Sequence, residues 1–223
     1  MVLHVIDALR TVQPAVTVVV VGHGADQMRA VVAGAAPEWT EIRFAHQHEQ
    51  RGTGHATAIG LDALRDTDDI DTVLVVPGDT PLLTAETMAD VVRAGTSDNA
   101  VAAVLTSSLD DPTGYGRVVR SDDGSSVVRI VEHRDATTAE LAIREWNAGV
   151  YVMRRDLLHE AVQHLTTDNA QGELYLTDVI AAFAAAGHRV AGVHADATEV
   201  SGVNDPDQLA AAETAMLARH QGT

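Results

Sequence analysis

Short apolar runs separated by helical patterns constrain this chain more than any other feature in it. "VTVVVV" at residues 16–21, "VLVV" at 73–76 and "VAAVLT" at 101–106 are apolar without alternation, the pattern of strands buried on both faces. "GHGADQMRAVVAG" reads as a turn and a helix that sets Met28, Val31 and Val32 on one side. A short strand over 42–45, a glycine turn with a helix in "GTGHATAIGLDALRD" and a helix over 84–94 continue the rhythm. Such alternation predicts an α/β fold with a Rossmann-like, doubly wound, mostly parallel sheet.

From residue 117 the rhythm changes. Two short strands flank the turn "SDDGSS", and "NAGVYVM" predicts a strand over 147–153. Helices near 155–165 and 176–186, a strand over 189–194 and a final helix over 206–219 follow. The middle therefore reads as a small antiparallel insertion over one edge of the sheet. No linker, repeat or low-complexity tract divides residues 1–223, so a single domain is expected, and 46% hydrophobic content suffices for a sizeable core.

Composition narrows the function. A formal net charge of −17 argues against nucleic acid as a partner, because a phosphate backbone would be repelled. All fifteen basic residues are arginine, which excludes any mechanism needing a lysine of this chain and fits genome composition or a salt-adapted surface. With no cysteine there is neither a disulfide framework nor a thiolate metal site. The apolar runs are too short to span a bilayer, and "MVLHVIDALR" lacks the basic start and cleavage pattern of a signal peptide, so a cytoplasmic protein without a membrane partner is expected.

Several stretches can carry chemistry. In "VVPGDTPLL" a buried strand ends in Gly78, which permits close approach of a ligand, and Asp79, which could hold a divalent cation or merely cap the next turn. "HQHEQRGTGHATA" sets Gln47 beside a loop in which Gly52 and Gly54 flank Thr53, a phosphate or base contact or a plain αβ turn; His46, His48 and His55 match no zinc spacing. "DPTGYGRVVR" and "VRIVEHRDAT" offer Gly116 and Glu132, either site residues or a hairpin turn and an edge charge. Asn147 in "EWNAGVYVM" could orient a sugar or satisfy a turn, Leu174, Leu176, Val179 and Ile180 in "AQGELYLTDVI" read as core, and Asn204 lies in a loop that Asp205 could cap.

Taken together, "MVLHVIDAL", "VVGHGADQM", "QRGTGHATA", "VPGDTPLL", "PTGYGRVVR", "VEHRDAT", "WNAGVYV", "AQGELYLTD" and "GVNDPDQLAAAE" resemble, in order and spacing, the uridyltransferase domain of the bacterial enzymes that make UDP-N-acetylglucosamine. The resemblance covers nearly the whole chain. It implies a nucleotide-diphospho-sugar transferase fold and transfer of a uridylyl group from UTP to N-acetylglucosamine 1-phosphate, giving UDP-N-acetylglucosamine for cell-wall precursors. Gln47, Gly52 and Thr53 would hold the uridine part, Gly116, Glu132 and Asn147 the N-acetylglucosamine, and Asp79 and Asn204 a magnesium ion that bridges phosphates. Pro77 stands where many relatives carry a larger residue.

The family normally opens with a strand and a Gly-rich loop of the kind L-A-A-G-x-G-T-R-M, then a proline-lysine pair. Here "MVLHVIDAL" resembles the helix after that region, so the resemblance supplies no catalytic arginine or lysine. Losing one positioned cation or donor costs about 2–4 kcal/mol of barrier lowering, so these residues without the loop should be nearly inactive. The absent strand would lie between residues 16–21 and 73–76, leaving two strand edges unpaired. A working protein longer upstream, and a C-terminal β-helical acyltransferase half, are therefore expected. A catalytically incompetent binding fragment and a transferase for another sugar are the alternatives.

Overall fold

A computed structural model describes residues 1–67 and 69–221. Of the span expected to form one domain, residues 68, 222 and 223 lie outside the described residues. Helix α1 (Val2–Ala8) runs into a 3-10 turn, then β1 (Val16–Val21), α2 (Ala25–Gly34), β2 (Glu41–His46), α3 (Thr53–Asp62), β3 (Thr72–Val75), α4 (Ala85–Gly95) and β4 (Ala102–Ser108) follow. The hairpin β5 (Arg117–Arg120) and β6 (Val127–Val131), the one-turn α5 (Thr138–Leu141), β7 (Glu145–Arg154), α6 (Arg155–Val162), α7 (Asp178–Ala185), β8 (Val190–His194), α8 (Ala197–Val200) and α9 (Pro206–Gln221) complete the order.

β4 is buried at every position but its last, as its unbroken apolar run requires. Its side chains alternate between two cores. Ala102 and Val104 join Tyr151 and Met153 of β7 under α3, α6 and α7, through Leu61, Leu158, Val179, Ile180 and Phe183. Ala103 and Leu105 join Trp146, Val150 and Val152 under α4 and α8, through Met88, Val91 and Val200. The result is a three-layer α/β/α molecule. Helix α4 starts where it does because the Thr84 hydroxyl accepts the Thr87 N–H at 3.2 Å, while its apolar stripe of Met88 and Val91 faces the sheet. Helix α2 departs from expectation: Val32 is fully buried, but Met28 and Val31 are 38% and 48% exposed.

The α/β, Rossmann-like class holds, with pairing more mixed than the mostly parallel sheet that alternation suggested. β1 with β2 and β4 with β8 are parallel, whereas β7 pairs antiparallel with β3, β4 and β5, and β5 with β6. The reason is β7. It returns from the hairpin running opposite to its neighbours and takes a central place, a direction that apolar periodicity does not encode. Along one side β7 meets β5 at Trp146 and then β3 from Tyr151 to Arg154. Its register against β4 shifts between Val104 and Thr106. Residues 147–150 therefore lie in a notch between the ends of β5 and β3.

Among the described residues, β1 pairs only with β2 and β3 only with β7, so the sheet is in two pieces.

Candidate functional site

Two groups of residues at strand ends meet at that notch, and a third lies behind them after β2, at the side of the sheet where α/β folds bind ligands. The first follows β3. Pro77 lies against Gly149, whose φ of +76° no branched residue adopts easily and where a Cβ would come within 3.0 Å of the proline ring. Gly149 thus lets the β3 loop lie on the β7 strand two residues past Asn147. The following Asp79 carbonyl accepts the Val203 N–H at 2.9 Å, and the Asp79 carboxylate stands beside Gly202, 3.5 Å from where a Cβ would be. The loops carrying Asp79 and Asn204 are therefore joined. Helix capping is not the task of Asp79: Thr84 caps α4, and among the described residues the Asp79 side chain makes no hydrogen bond. Asp205 caps α9, accepting the Gln208 N–H at 2.8 Å, and the Asn204 amide is exposed.

The second group surrounds Glu132. Gly116, at the mouth of β5, accepts the Asn147 N–H at 2.9 Å, and a Cβ at Gly116 would lie 3.4 Å from Glu132 Oε2. Glu132 Oε1 accepts the buried Thr177 hydroxyl at 3.0 Å. Burial pushes the Glu132 carboxyl up, the Thr177 bond opposes this, and the neighbouring Asp178 and Asp135 add to the rise. Asp178 is raised for the same reasons, burial first and then Asp135. The Asn147 amide donates to the Tyr151 hydroxyl at 2.6 Å and accepts the Gly149 N–H at 3.0 Å, which leaves one N–H and one lone pair for a ligand. Burial holds the Tyr151 phenol protonated.

The third group follows β2. Gln47 donates from Nε2 to the Gly52 carbonyl at 3.2 Å and pairs with His55 Nδ1 at 3.2 Å, and among the described residues its side-chain carbonyl has no partner. Thr53 opens α3, and its hydroxyl accepts the Leu176 N–H at 3.1 Å, so part of its capacity is used within the protein. Gly54 N–H donates to the Leu174 carbonyl and Leu174 N–H to the Arg51 carbonyl, each at 2.8 Å. Leu176 is buried in the core as expected, whereas Leu174 is half-buried and outside it, and the backbone of both braces the glycine loop.

Two further groups shape the notch without any expectation having pointed to them. Arg117 is 2% exposed, and its guanidinium donates to the carbonyls of Pro112 and Tyr115, which clamps the loop that ends in Gly116. Tyr115 lies on the buried Trp146, with ring centroids 4.0 Å apart. Asp135 holds the Tyr175 hydroxyl at 3.2 Å and the Ala170 N–H at 2.8 Å. An arginine opening a strand next to the apolar pair Val118 and Val119 is the signal for the first; a local aspartate offers none for the second.

A three-layer α/β fold with glycine-built loops at the carboxyl ends of its strands is an architecture that binds nucleotides. Residues 1–202 match the nucleotidyl transferase family model, and the chain belongs to that family. Relatives called "Bifunctional protein GlmU" are 46% identical over 210 residues in Streptomyces avermitilis, 47% over 211 in Corynebacterium aurimucosum and 45% over 214 in Alcanivorax borkumensis. The matches cover 94%, 94% and 96% of this chain, but 43%, 43% and 45% of the respective relatives. The chain spans less than half the length of these relatives. No helix among the described residues is long and apolar enough to cross a membrane.

Proposed function

We propose that the chain carries the site for uridylyl transfer from UTP to N-acetylglucosamine 1-phosphate, giving UDP-N-acetylglucosamine and pyrophosphate. The observation that carries this reading is the convergence on one notch of Gly116, Glu132 and Asn147 with the Asp79 loop, through the Pro77–Gly149 contact. Glu132 is placed to accept hydrogen bonds from hydroxyl groups: one oxygen is held by Thr177, and the other lies beside Gly116, 3.4 Å from where a Cβ would be. A sugar hydroxyl bound there would meet a charged acceptor, and Asn147 would supply one amide donor and one acceptor to an N-acetyl group. Gln47, Gly52 and Thr53 would hold the uridine part, with the Gln47 side-chain carbonyl toward the base and the glycine backbone near the phosphates.

Asp79 and Asn204 offer hard oxygen donors on two loops that touch, and the Asp79 carboxylate has no partner among the described residues. Two protein oxygens suit magnesium, which keeps waters and takes phosphate oxygens for the rest of its shell. Bound there, it would neutralise phosphate charge as the transfer proceeds. The sugar phosphate oxygen would attack the α-phosphorus in line, the α–β P–O bond would break, and pyrophosphate would leave, with no covalent enzyme intermediate. The residues around the notch orient the two substrates for that attack.

Calorimetric titration tests the assignment. Glu132→Gln and Asn147→Ala should each weaken UDP-N-acetylglucosamine binding about tenfold, the worth of a charge-assisted hydrogen bond, and leave UTP binding nearly unchanged. Equal losses for the two ligands would make these residues structural.

A further inference from the structure

The residues expected to hold the nucleotide and those expected to hold the sugar do not touch directly. They are joined by one segment, residues 169–177, which runs between α6 and α7. On one side its backbone is bound into the glycine loop: Leu174 exchanges hydrogen bonds with Arg51 and Gly54 at 2.8 Å, and Leu176 N–H donates to Thr53 Oγ1 at 3.1 Å. On the other side the same segment reaches the end of β6. Thr177 donates to Glu132 at 3.0 Å, Tyr175 to Asp135 Oδ2 at 3.2 Å and Ala170 N–H to Asp135 Oδ1 at 2.8 Å. Asp135 is itself fixed to Glu132 by a turn, its N–H donating to the Glu132 carbonyl at 3.0 Å.

The segment is also braced internally. Asn169 accepts the N–H groups of Gln171 and Glu173 and donates to the Glu173 carbonyl at 2.7 Å. It therefore moves as a unit. The fit against the loop is tight, since a Cβ at Gly52 would meet the Leu174 carbonyl at 2.6 Å, so a displacement of the segment displaces the loop.

We propose that residues 169–177 form a bridge coupling the two half-sites, and that Asp135, which touches neither substrate, is the positioning residue holding its sugar-side end. The proposal rests on the functional reading above. Its consequence is that occupancy beside Glu132 orders the glycine loop through Tyr175, Leu174 and Leu176, and occupancy of the loop orders Glu132 in return, since a coupling between two sites is reciprocal.

Amide hydrogen exchange on the full 223-residue chain tests it without turnover. In the unliganded protein, Asp135→Ala should raise exchange at Gly54 and Leu174 about fivefold, the effect of losing about one exposed hydrogen bond, and leave the buried Val104 and Leu105 unchanged. Asp135→Asn, which keeps an acceptor for the Ala170 N–H, should restore part of the protection. Unchanged exchange at Gly54 and Leu174 in Asp135→Ala would overturn the bridge, whatever binds. Adding N-acetylglucosamine 1-phosphate should then slow exchange at Gly54 and Leu174 in the unaltered protein and not in Asp135→Ala. Slowing confined to Gly116 and Asn147 would overturn the coupling; slowing nowhere would overturn the sugar assignment, with the unliganded comparison still deciding the bridge.

Discussion

Replacing Gly52 by alanine should loosen the glycine loop by an amount that the geometry allows to be worked out. At φ +101° a Cβ is strained in open space, which costs about 1 kcal/mol. At Gly52 the space is not open: the new carbon would lie 2.6 Å from the Leu174 carbonyl oxygen, 2.9 Å from Leu174 N and 2.9 Å from Glu173 Cβ. Backbone must move, and the bonds from Gly54 to Leu174 and from Leu174 to Arg51 lengthen with it. At about 1 kcal/mol for each, the total reaches about 3 kcal/mol. For a domain of this size that lowers Tm by about 6–12 °C. Gly172 supplies the control, because it also has positive φ, +65°, but no atom within 4 Å of a Cβ. Gly172→Ala should lower Tm by about 2–4 °C only. Differential scanning calorimetry of both variants decides the matter. Equal shifts would show that the collision with Leu174 is relieved without cost, and the tight fit between loop and bridge would be refuted.

Two further outcomes follow from the charges. Because burial holds the Glu132 carboxyl above the ordinary range, the stability its proton provides is present below the unfolded carboxyl range and lost as pH rises through the raised folded value. Glu132→Gln, which keeps an oxygen for Thr177, should therefore melt higher than the unaltered protein at pH 7, by a margin that shrinks toward pH 4; a margin independent of pH would remove the burial argument. A net charge of −17 also repels itself, and the screening length falls from about 10 Å at 0.1 M salt to about 3 Å at 1 M. Thermal melts should rise across that range of sodium chloride, and a flat or falling series would refute the claim.

The strands were legible from their apolar runs and the glycine turns at their ends, but the burial on both faces that such runs suggest holds for β4 and not for β1 and β3, which are half-buried along an edge with no strand beside it among the described residues. Strand direction was not legible: the run in β7 reads the same whichever way it lies in the sheet, and its antiparallel, central place turns on the hairpin before it. Met28 and Val31 fit a helical stripe yet stay exposed, since periodicity names a face without saying what covers it. Around the site, glycines and isolated polar residues at strand ends were visible as candidates, and the family resemblance supplied their roles. The bridge was hidden because its work is done by the main chain of Leu174 and Leu176, whose side chains advertise only a core. Arg117 acts on carbonyls of its own loop and Asp135 on an amide and a hydroxyl far away in sequence, contacts with no sequence period.

The central claim is that this site joins UTP to N-acetylglucosamine 1-phosphate, and pyrophosphate release tests it most directly. The protein to use is the full-length gene product, with magnesium, offered N-acetylglucosamine 1-phosphate and, separately, glucose 1-phosphate. The account predicts turnover with the N-acetylated sugar, strong preference over glucose 1-phosphate, and a loss of at least about a hundredfold in Asp79→Ala with the fold intact. Turnover that ignores the N-acetyl group, or that survives Asp79→Ala undiminished, would contradict it.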